Sequence, residues 1–280
     1  MLVDAIKSES YRLSRNWIQL VVAILVVPAL FILGGALVLF QAEAKGGPMA
    51  AMVGINPAAP AMPVNLMEAL TFGADKGANG FTLILMLIAA ATLYVGDYRW
   101  ETWRLISARN SRTSLLLGKV AVMKSLAFAG MAAFLVASIL FNLMKAGIFD
   151  RGLTFSADGS DWGQFALLWL LSWTRIIQFT LIALLTGVLT RSLLAALFAP
   201  WALGFVQSLL APLLPALGWE PMSWKMQLLL PGLAYDTLKA AVQGAPKVPV
   251  WPALTSLVLW TLAPLIGALA LFNRQDLSKE

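Results

Sequence analysis

The amino-acid sequence predicts an all-α membrane protein with six transmembrane helices. The 280-residue chain is 60% hydrophobic and only 12% charged, whereas a soluble domain carries about 25% charged residues. Several apolar stretches reach the roughly 18–20 residues that a helix needs to cross a bilayer. Little sequence is left between them for a soluble domain. We therefore predict one transmembrane domain over residues 1–280.

The hydropathy pattern places the six spans in order along the chain. They are expected at about 17–40, 79–95, 120–143, 164–189, 193–214 and 251–272. Pro28, Pro200 and Pro264 fall inside the first, fifth and sixth spans and predict kinks there. Residues 190–192 are all that separates the fourth span from the fifth, which predicts a tight antiparallel hairpin.

The segment before the first span is expected to be an amphipathic helix. On a helix, Leu2, Ile6, Leu13 and Trp17 fall within about 60° of arc, while the basic residues lie elsewhere, which favours a helix lying in the membrane interface. A frayed polar tail is the alternative. The sequence at 42–44, Ala-Glu-Ala, resembles a signal-peptidase site, but the apolar run before it is longer than the 7–15 residues of a signal peptide. We expect the first span to be retained.

The distribution of Lys and Arg predicts that both termini are cytoplasmic. With the N-terminus inside, eleven of the 20 Lys and Arg residues fall in inner segments and seven in outer segments, and cytoplasmic loops carry the excess of these residues. The net charge of +6 is thus an orientation signal of a multi-pass inner-membrane protein. It is not interpreted as a nucleic-acid footprint.

Several kinds of chemistry are excluded by what the sequence lacks. It has no Cys and no His, which removes thiolate and imidazole metal sites and the usual nucleophile–base pairs. We expect no catalytic residue, metal or cofactor in this chain, which argues against a lipid-modifying enzyme. None of the predicted spans contains Asp or Glu, which argues against an ion-driven carrier or channel. The nearest approach to a phosphate-binding loop, at Gly118-Lys119, has Thr113 in place of the first Gly.

Two outer segments are expected to differ in structure. Residues 41–78 are rich in Gly, Pro, Ala and Met and predict a loop. The segment between the last two spans is dense in Pro, Trp and Leu, and Trp219, Trp224 and Trp251 are residues typical of a membrane interface. It predicts short re-entrant helices that dip into the outer leaflet, with a plain loop as the alternative.

Two cations fall inside predicted spans. Lys124 is close enough to one end to extend its ammonium group to the inner interface. Arg175 lies more than about 15 Å from either end of its span, where a lone charge costs about 2.5 kcal/mol or more. Either it faces protein or a wet substrate pathway, or the span begins near Trp173 and Arg175 sits at the outer rim. Both interpretations stay open on sequence grounds.

The most distinctive segment joins the second and third spans. Residues 97–119 hold five Lys or Arg residues and two acids. Drawn as a helix, Asp97, Glu101 and Arg104 share one face, and the last two are spaced to form an ion pair. This pattern predicts a short cytoplasmic helix that docks on a partner. A solvated, positively charged loop is the alternative.

The same segment carries a resemblance to a known family. It contains Asp97-Tyr98, Thr102-Trp103-Arg104-Leu105-Ile106, Ser111-Arg112 and Leu115-Leu116-Leu117-Gly118-Lys119. In this it resembles the type-2 permeases, the six-span subunits of ATP-binding cassette exporters. It departs from the family pattern at Glu101, where Gly is usual, and in having no Pro before Ser111.

The resemblance implies that the segment is a coupling helix. Two permeases, either identical copies or paralogues, would form the substrate pathway, and each would dock on a separate nucleotide-binding ATPase that holds the ATP and Mg. The residues implied in contact with the ATPase are Asp97, Glu101, Arg104, Arg109 and Arg112. A secondary carrier or channel, or a membrane anchor subunit, is the alternative function.

Overall fold

The computed structural model describes residues 1–45, 62–99, 103, 110–245 and 248–275. Its helices are α1 (Leu2–Arg15), α2 (Trp17–Lys45), α3 (Leu66–Lys76), α4 (Gly80–Arg99), α5 (Arg112–Ile148), α6 (Gly159–Thr190), α7 (Leu193–Leu213), α8 (Trp224–Leu229), α9 (Pro231–Val242) and α10 (Val250–Arg274). A 3₁₀ turn covers Leu214–Leu217, and β1 (Val64–Asn65) pairs in parallel with β2 (Leu153–Thr154).

Six of the described helices are long and apolar enough to cross a membrane, namely α2, α4, α5, α6, α7 and α10. The predicted all-α, multi-pass membrane architecture is therefore confirmed at this level. The main difference in helix length is at α5, which has 37 residues and begins eight residues before the predicted third span. Ser111 starts it, because the Ser111 hydroxyl accepts a hydrogen bond from the Ser114 amide at 3.2 Å and so satisfies a free N–H of the first turn.

The second crossing is preceded by a helix that the sequence analysis expected to be loop. α3 packs along α5, where the Ser138 hydroxyl donates to the carbonyl oxygen of Ala69 at 2.7 Å. Gly73 permits this close approach, because a Cβ there would lie 3.2 Å from Cα of Leu135. This helix ends at Lys76, and α4 begins at Gly80. The Asn79 side chain caps α4 by accepting a hydrogen bond from the Thr82 amide at 3.0 Å.

The hydrophobic core lies where α4, α5 and α6 meet. Leu87, Leu116, Met123, Ile176 and Leu184 are among its fully enclosed side chains. α2 and α7 are peripheral and leave most of their apolar side chains exposed. Such a face suits lipid or another apolar helix.

Short helices occupy the segment between α7 and α10. α9 packs on α6 and α10, and its buried residues include Ala234 and Leu238. The structure therefore contains helical segments here in place of a plain loop. Their entry into a membrane leaflet stays a prediction.

Candidate functional site at the α1 end of the bundle

Four charged side chains from three helices meet where α1 crosses the bundle. We call Glu9, Arg12, Asp97 and Lys119 the charge quartet. The Lys119 ammonium lies 2.6 Å from Asp97 Oδ2 and 3.2 Å from Glu9 Oε2. The Arg12 guanidinium donates to Asp97 Oδ1 at 2.6 Å and to Glu9 Oε1 at 2.9 Å. Each carboxylate therefore bridges the two cations, and α1 is joined to α4 and α5.

Three members of the charge quartet are enclosed by protein. Glu9 is 2% exposed, Asp97 0% and Lys119 1%, whereas the Arg12 side chain is 44% exposed. Lys119 also donates to the carbonyl oxygen of Leu93 at 2.8 Å. Buried charges are tolerated when they are paired and hydrogen-bonded, and the four formal charges of the quartet sum to zero.

The pKa of Arg12 moves in the direction that this pairing requires. The hydrogen bond with the Asp97 carboxylate raises the pKa of Arg12 above its ordinary value, although partial burial acts against it. A guanidinium is already protonated at all physiological pH values. Arg12 therefore keeps its positive charge in these contacts.

A close helix contact places Glu9 on Lys119. α1 lies against α5 at Gly118, where a Cβ would come within 3.0 Å of the Ala5 methyl group. Ala5, Glu9 and Leu13 form the buried stripe of α1. That stripe differs from the apolar one expected from the sequence, because Leu2 and Trp17 are exposed and the acidic Glu9 takes an interior position opposite a cation.

An aromatic cluster closes over the charge quartet. Trp103 is 0% exposed, and its ring centroid lies 4.6 Å from that of Phe272 in α10 and 5.6 Å from that of Tyr98. The Lys119 ammonium lies 5.3 Å from the centroid of the same indole, within the range of a cation–π interaction. Trp103 therefore attaches the segment between α4 and α5 to both the quartet and α10.

Arg112 binds the C-terminal end of α10. Its guanidinium donates to the carbonyl oxygens of Phe272, at 3.4 Å, and of Gln275, where a cation also complements the helix dipole. Gln275 in turn accepts the Tyr98 hydroxyl at 2.8 Å and donates to Val188 O of α6 at 2.6 Å. The connecting segment is thus held at its start, at Trp103 and at its end.

The predicted ATPase contacts fall into two groups. Asp97 was expected on an outward face with Glu101 and Arg104, but its carboxylate lies inside the protein in the charge quartet. Arg112 is engaged with α10. Glu101, Arg104 and Arg109 lie outside the described residues, so their contact with a partner stays a prediction.

The outward direction expected for Asp97 was wrong because a helical wheel gives only the relative phase of residues on one helix. The cations that neutralise this carboxylate come from α1 and α5, and Lys119 had been assigned to the connecting segment. A usable signal was present in Glu9 and Arg12, whose spacing of three residues brings opposite charges together on one helix face. The sequence analysis did not combine it with Asp97.

Arg175 lies in a second polar region, between α6 and α9. It is 8% exposed, donates to Gln178 Oε1 at 2.9 Å and stacks on Phe179 with 4.5 Å from Cζ to the ring centroid. The ring centroid of Tyr235 in α9 lies 5.6 Å from Cζ of Arg175. Arg175 therefore faces protein, and its depth in the membrane, near the middle or at the outer rim, stays a prediction.

Close by, one carboxylate is shared between two lysines. We call Asp75, Lys76 and Lys239 the Asp75 cluster. Asp75 lies 2.6 Å from the Lys239 ammonium and 2.8 Å from that of Lys76. Burial alone would raise the pKa of Asp75, but the hydrogen bonds from Lys239 and Lys76 outweigh it and hold the pKa below its ordinary value. The cluster ties α3 to α9.

Comparison with known proteins gives no relative: no family model matches the chain, and no curated protein matches it significantly. The described residues contain no group of three or more acidic, His or Cys side chains placed to hold a metal ion. Fold and site together define a class, an integral membrane protein of six apolar helices whose second and third crossings are joined by a segment anchored through buried charges.

Proposed function

We propose that this chain is the permease subunit of an ATP-binding cassette exporter. Two permeases would form the substrate pathway, and a separate nucleotide-binding ATPase, which carries ATP and Mg, would dock on the segment between α4 and α5. The chain itself would catalyse no reaction. The resemblance in residues 97–119 suggests this class, and the geometry at the α1 end of the bundle supports it.

The observation that carries the proposal is the anchoring of the connecting segment. A coupling element must pass a displacement to the membrane helices, and packed side chains and hydrogen-bonded or ion-paired networks can carry such coupling. Here Asp97 is fixed to α1 and α5 through the charge quartet, Trp103 packs on Phe272 of α10, and Arg112 binds the end of the same helix. A force applied between these points would reach three helices together.

The proposal gives each predicted contact residue a role. Asp97 and Arg112 would hold the segment in place, while Glu101, Arg104 and Arg109 remain the candidates for direct contact with the ATPase. The bias of Lys and Arg supports an orientation in which this side of the membrane, and both termini, are cytoplasmic. The exposed apolar face of α7, which includes Phe198, Trp201 and Phe205, is available to lipid or to the second permease.

The test is copurification followed by ATPase measurement. The tagged chain, expressed in its native host, should retain an ATPase subunit, and the complex should hydrolyse ATP while the isolated chain neither binds nor hydrolyses it. Reversing the predicted contacts with Glu101→Arg and Arg104→Glu should reduce ATPase retention and leave membrane insertion intact, because the number of inner cations is unchanged.

A matched control uses a charge reversal away from the segment. Lys225→Glu changes an exposed cation of α8 and should leave ATPase retention unchanged. Transport by the isolated chain, without any ATPase, would instead support the carrier or channel. An ATPase-free complex that shows no transport would support the membrane anchor.

A further inference from the structure

A cavity of about 420 Å³ opens between α2, α3, α4 and α5. This volume falls in the range of about 300–1,000 Å³ that is typical of small-molecule sites. Its walls are almost entirely apolar. The side chains that form them include Val27, Leu30, Phe31, Phe72, Phe81 and Phe134.

The phenylalanine side chains enclose the cavity on one side and leave it open on the other. Phe31 lies against Phe134 in a tilted arrangement at 5.1 Å and stacks on Phe72 at 6.0 Å, both measured between ring centroids. Phe134 is 4% exposed, whereas Phe72 is 42% and Phe81 71% exposed. The cavity therefore opens sideways onto the apolar surface of α2 and α4, the surface that a bilayer would cover.

Two polar side chains line this cavity, those of Lys76 and Asn79. The Asn79 amide is already committed, because it caps α4 and donates to Lys76 O at 3.0 Å. The Lys76 side chain is 51% exposed, against 17% for Lys239. Lys76 is therefore the group that meets an occupant of the cavity.

The Asp75 cluster carries one more positive charge than negative. Asp75 holds both ammonium groups, but Lys239 is the nearer and more buried partner, at 2.6 Å. Asp236 interacts electrostatically with Arg175 and, more weakly, with Lys239 and Lys76. Counting Arg175 and Asp236 together adds one charge of each sign and leaves the surplus of one positive charge. One cation thus faces an apolar opening without full compensation, a costly arrangement at a lipid-facing surface that a bound anion would relieve.

We infer that this cavity binds an anionic lipid from the surrounding bilayer, with an acyl chain between the phenylalanines and the headgroup anion on Lys76. The apolar walls of the cavity would accommodate the acyl chain, and the surplus positive charge would attract the anionic headgroup. A zwitterionic lipid could place its acyl chain in the same cavity, but its headgroup would also bring a positive charge close to the Lys76 ammonium. The inference concerns this chain alone and does not depend on the proposed function.

Photocrosslinking in nanodiscs tests the inference on the full-length chain. Phosphatidylglycerol and phosphatidylcholine that carry the same diazirine acyl chain are compared at equal fractions in a phosphatidylcholine background, and adducts are mapped by mass spectrometry. We expect about threefold to fivefold more phosphatidylglycerol adducts on the cavity peptides, the scale of one half-exposed ion pair.

Three variants assign the preference to Lys76. Lys76→Gln should abolish it and Lys76→Arg should retain it. Lys225→Gln removes an exposed cation of α8 outside the cavity and should leave the preference unchanged. Lys76→Gln should still fold, because Asp75 keeps Lys239, and its melting temperature checks this.

Two results would overturn the inference. Equal adducts of the two lipids on the cavity peptides would make the cavity an ordinary lipid-facing groove. A preference that persists in a folded Lys76→Gln variant would place the anion site elsewhere. Neither outcome bears on whether an ATPase copurifies with the chain.

Discussion

The charge quartet and the Asp75 cluster are built from the same residue types but differ in balance and burial. The quartet pairs two acids with two bases, and Lys119 is 1% exposed. The Asp75 cluster pairs one acid with two bases, and the Lys76 side chain is 51% exposed. The quartet is neutral and both of its acids and Lys119 are buried, although the Arg12 side chain is 44% exposed, whereas the Asp75 cluster is cationic.

The difference separates a structural role from a binding role. A neutral network in which both carboxylates are buried and paired has no surplus charge for a ligand, and removing one partner leaves the remaining buried charges uncompensated. A half-exposed cation beside an apolar cavity has charge available for an anion and can be reached by a ligand in the cavity. We therefore assign the charge quartet to holding the segment between α4 and α5, and the Asp75 cluster to a bound anion.

The largest expected effect comes from breaking the charge quartet. Lys119→Met leaves Asp97 and Glu9 with Arg12 as their shared cation, so the free energy of unfolding should fall by about 3–5 kcal/mol. Lys76→Met removes a half-exposed lysine and should cost about 0–1 kcal/mol. Unfolding in mixed micelles measures both. Equal losses of unfolding free energy in the two variants would mean that the two networks do not differ in how strongly they stabilise the fold.

The double variant sharpens this result. Adding Asp97→Leu to Lys119→Met removes one charge of each sign and leaves Glu9 paired with Arg12. Because neutrality is restored, we expect part of the lost stability to return, which appears as a coupling energy in the double-mutant cycle. Strictly additive losses would mean that the two side chains act independently.

An intermediate effect is expected at Asp75, with a defined pH dependence. Asp75→Asn removes two charge-assisted hydrogen bonds and should cost about 1.5–3 kcal/mol near neutral pH. The folded-state pKa of Asp75 lies below its ordinary value of 3.8, so its contribution is complete above that value and is lost as the pH falls through the folded-state pKa.

Melting temperatures measure this effect in detergent. The difference between the parent and Asp75→Asn should be constant from about pH 7 to about pH 5 and should shrink below about pH 4. Lys225→Gln, which removes an exposed cation of α8 outside the cluster and no carboxylate, gives the comparison for general acid effects. A difference that grows on acidification would mean that the lysines do not stabilise the Asp75 carboxylate.

The smallest effect is expected at Arg175. Arg175→Lys keeps the charge but loses the planar contact with Phe179, 4.5 Å from Cζ to the ring centroid, so the free energy of unfolding should fall by about 1 kcal/mol. The lipid preference of the cavity should not change, because Arg175 does not line it. A loss of that preference would make Arg175 part of the anion site.

Much of the fold could be predicted from sequence because it depends on local pattern. Apolar runs fix the six long helices, and Ser111 and Asn79 mark helix starts through hydrogen bonds within three residues. α3 was missed although Asn65 marks its start by accepting a hydrogen bond from the Met67 amide at 3.0 Å, because residues 41–78 were interpreted together as one loop. Its contacts, such as Ser138 with Ala69, join residues far apart in the chain.

The candidate site could be predicted only in part. The segment 97–119 was identified from its charge, and Tyr98, Trp103 and Arg112 are among the residues that the resemblance singled out. The inward direction of Asp97 was not predicted, because it depends on Arg12, 85 residues away, and on Lys119 in the next helix. Lys119 had been counted with the connecting segment because the third span was predicted to begin at residue 120, whereas α5 begins at Arg112.

The sequence by itself determined that this chain is a helical membrane protein without His or Cys chemistry, because hydropathy and composition are properties of single segments. Only the tertiary structure decided which charges are paired. Glu9 and Lys119, which meet at 3.2 Å, are 110 residues apart. Ion pairing depends on distances of a few ångströms and on burial, and these are set by how the helices pack.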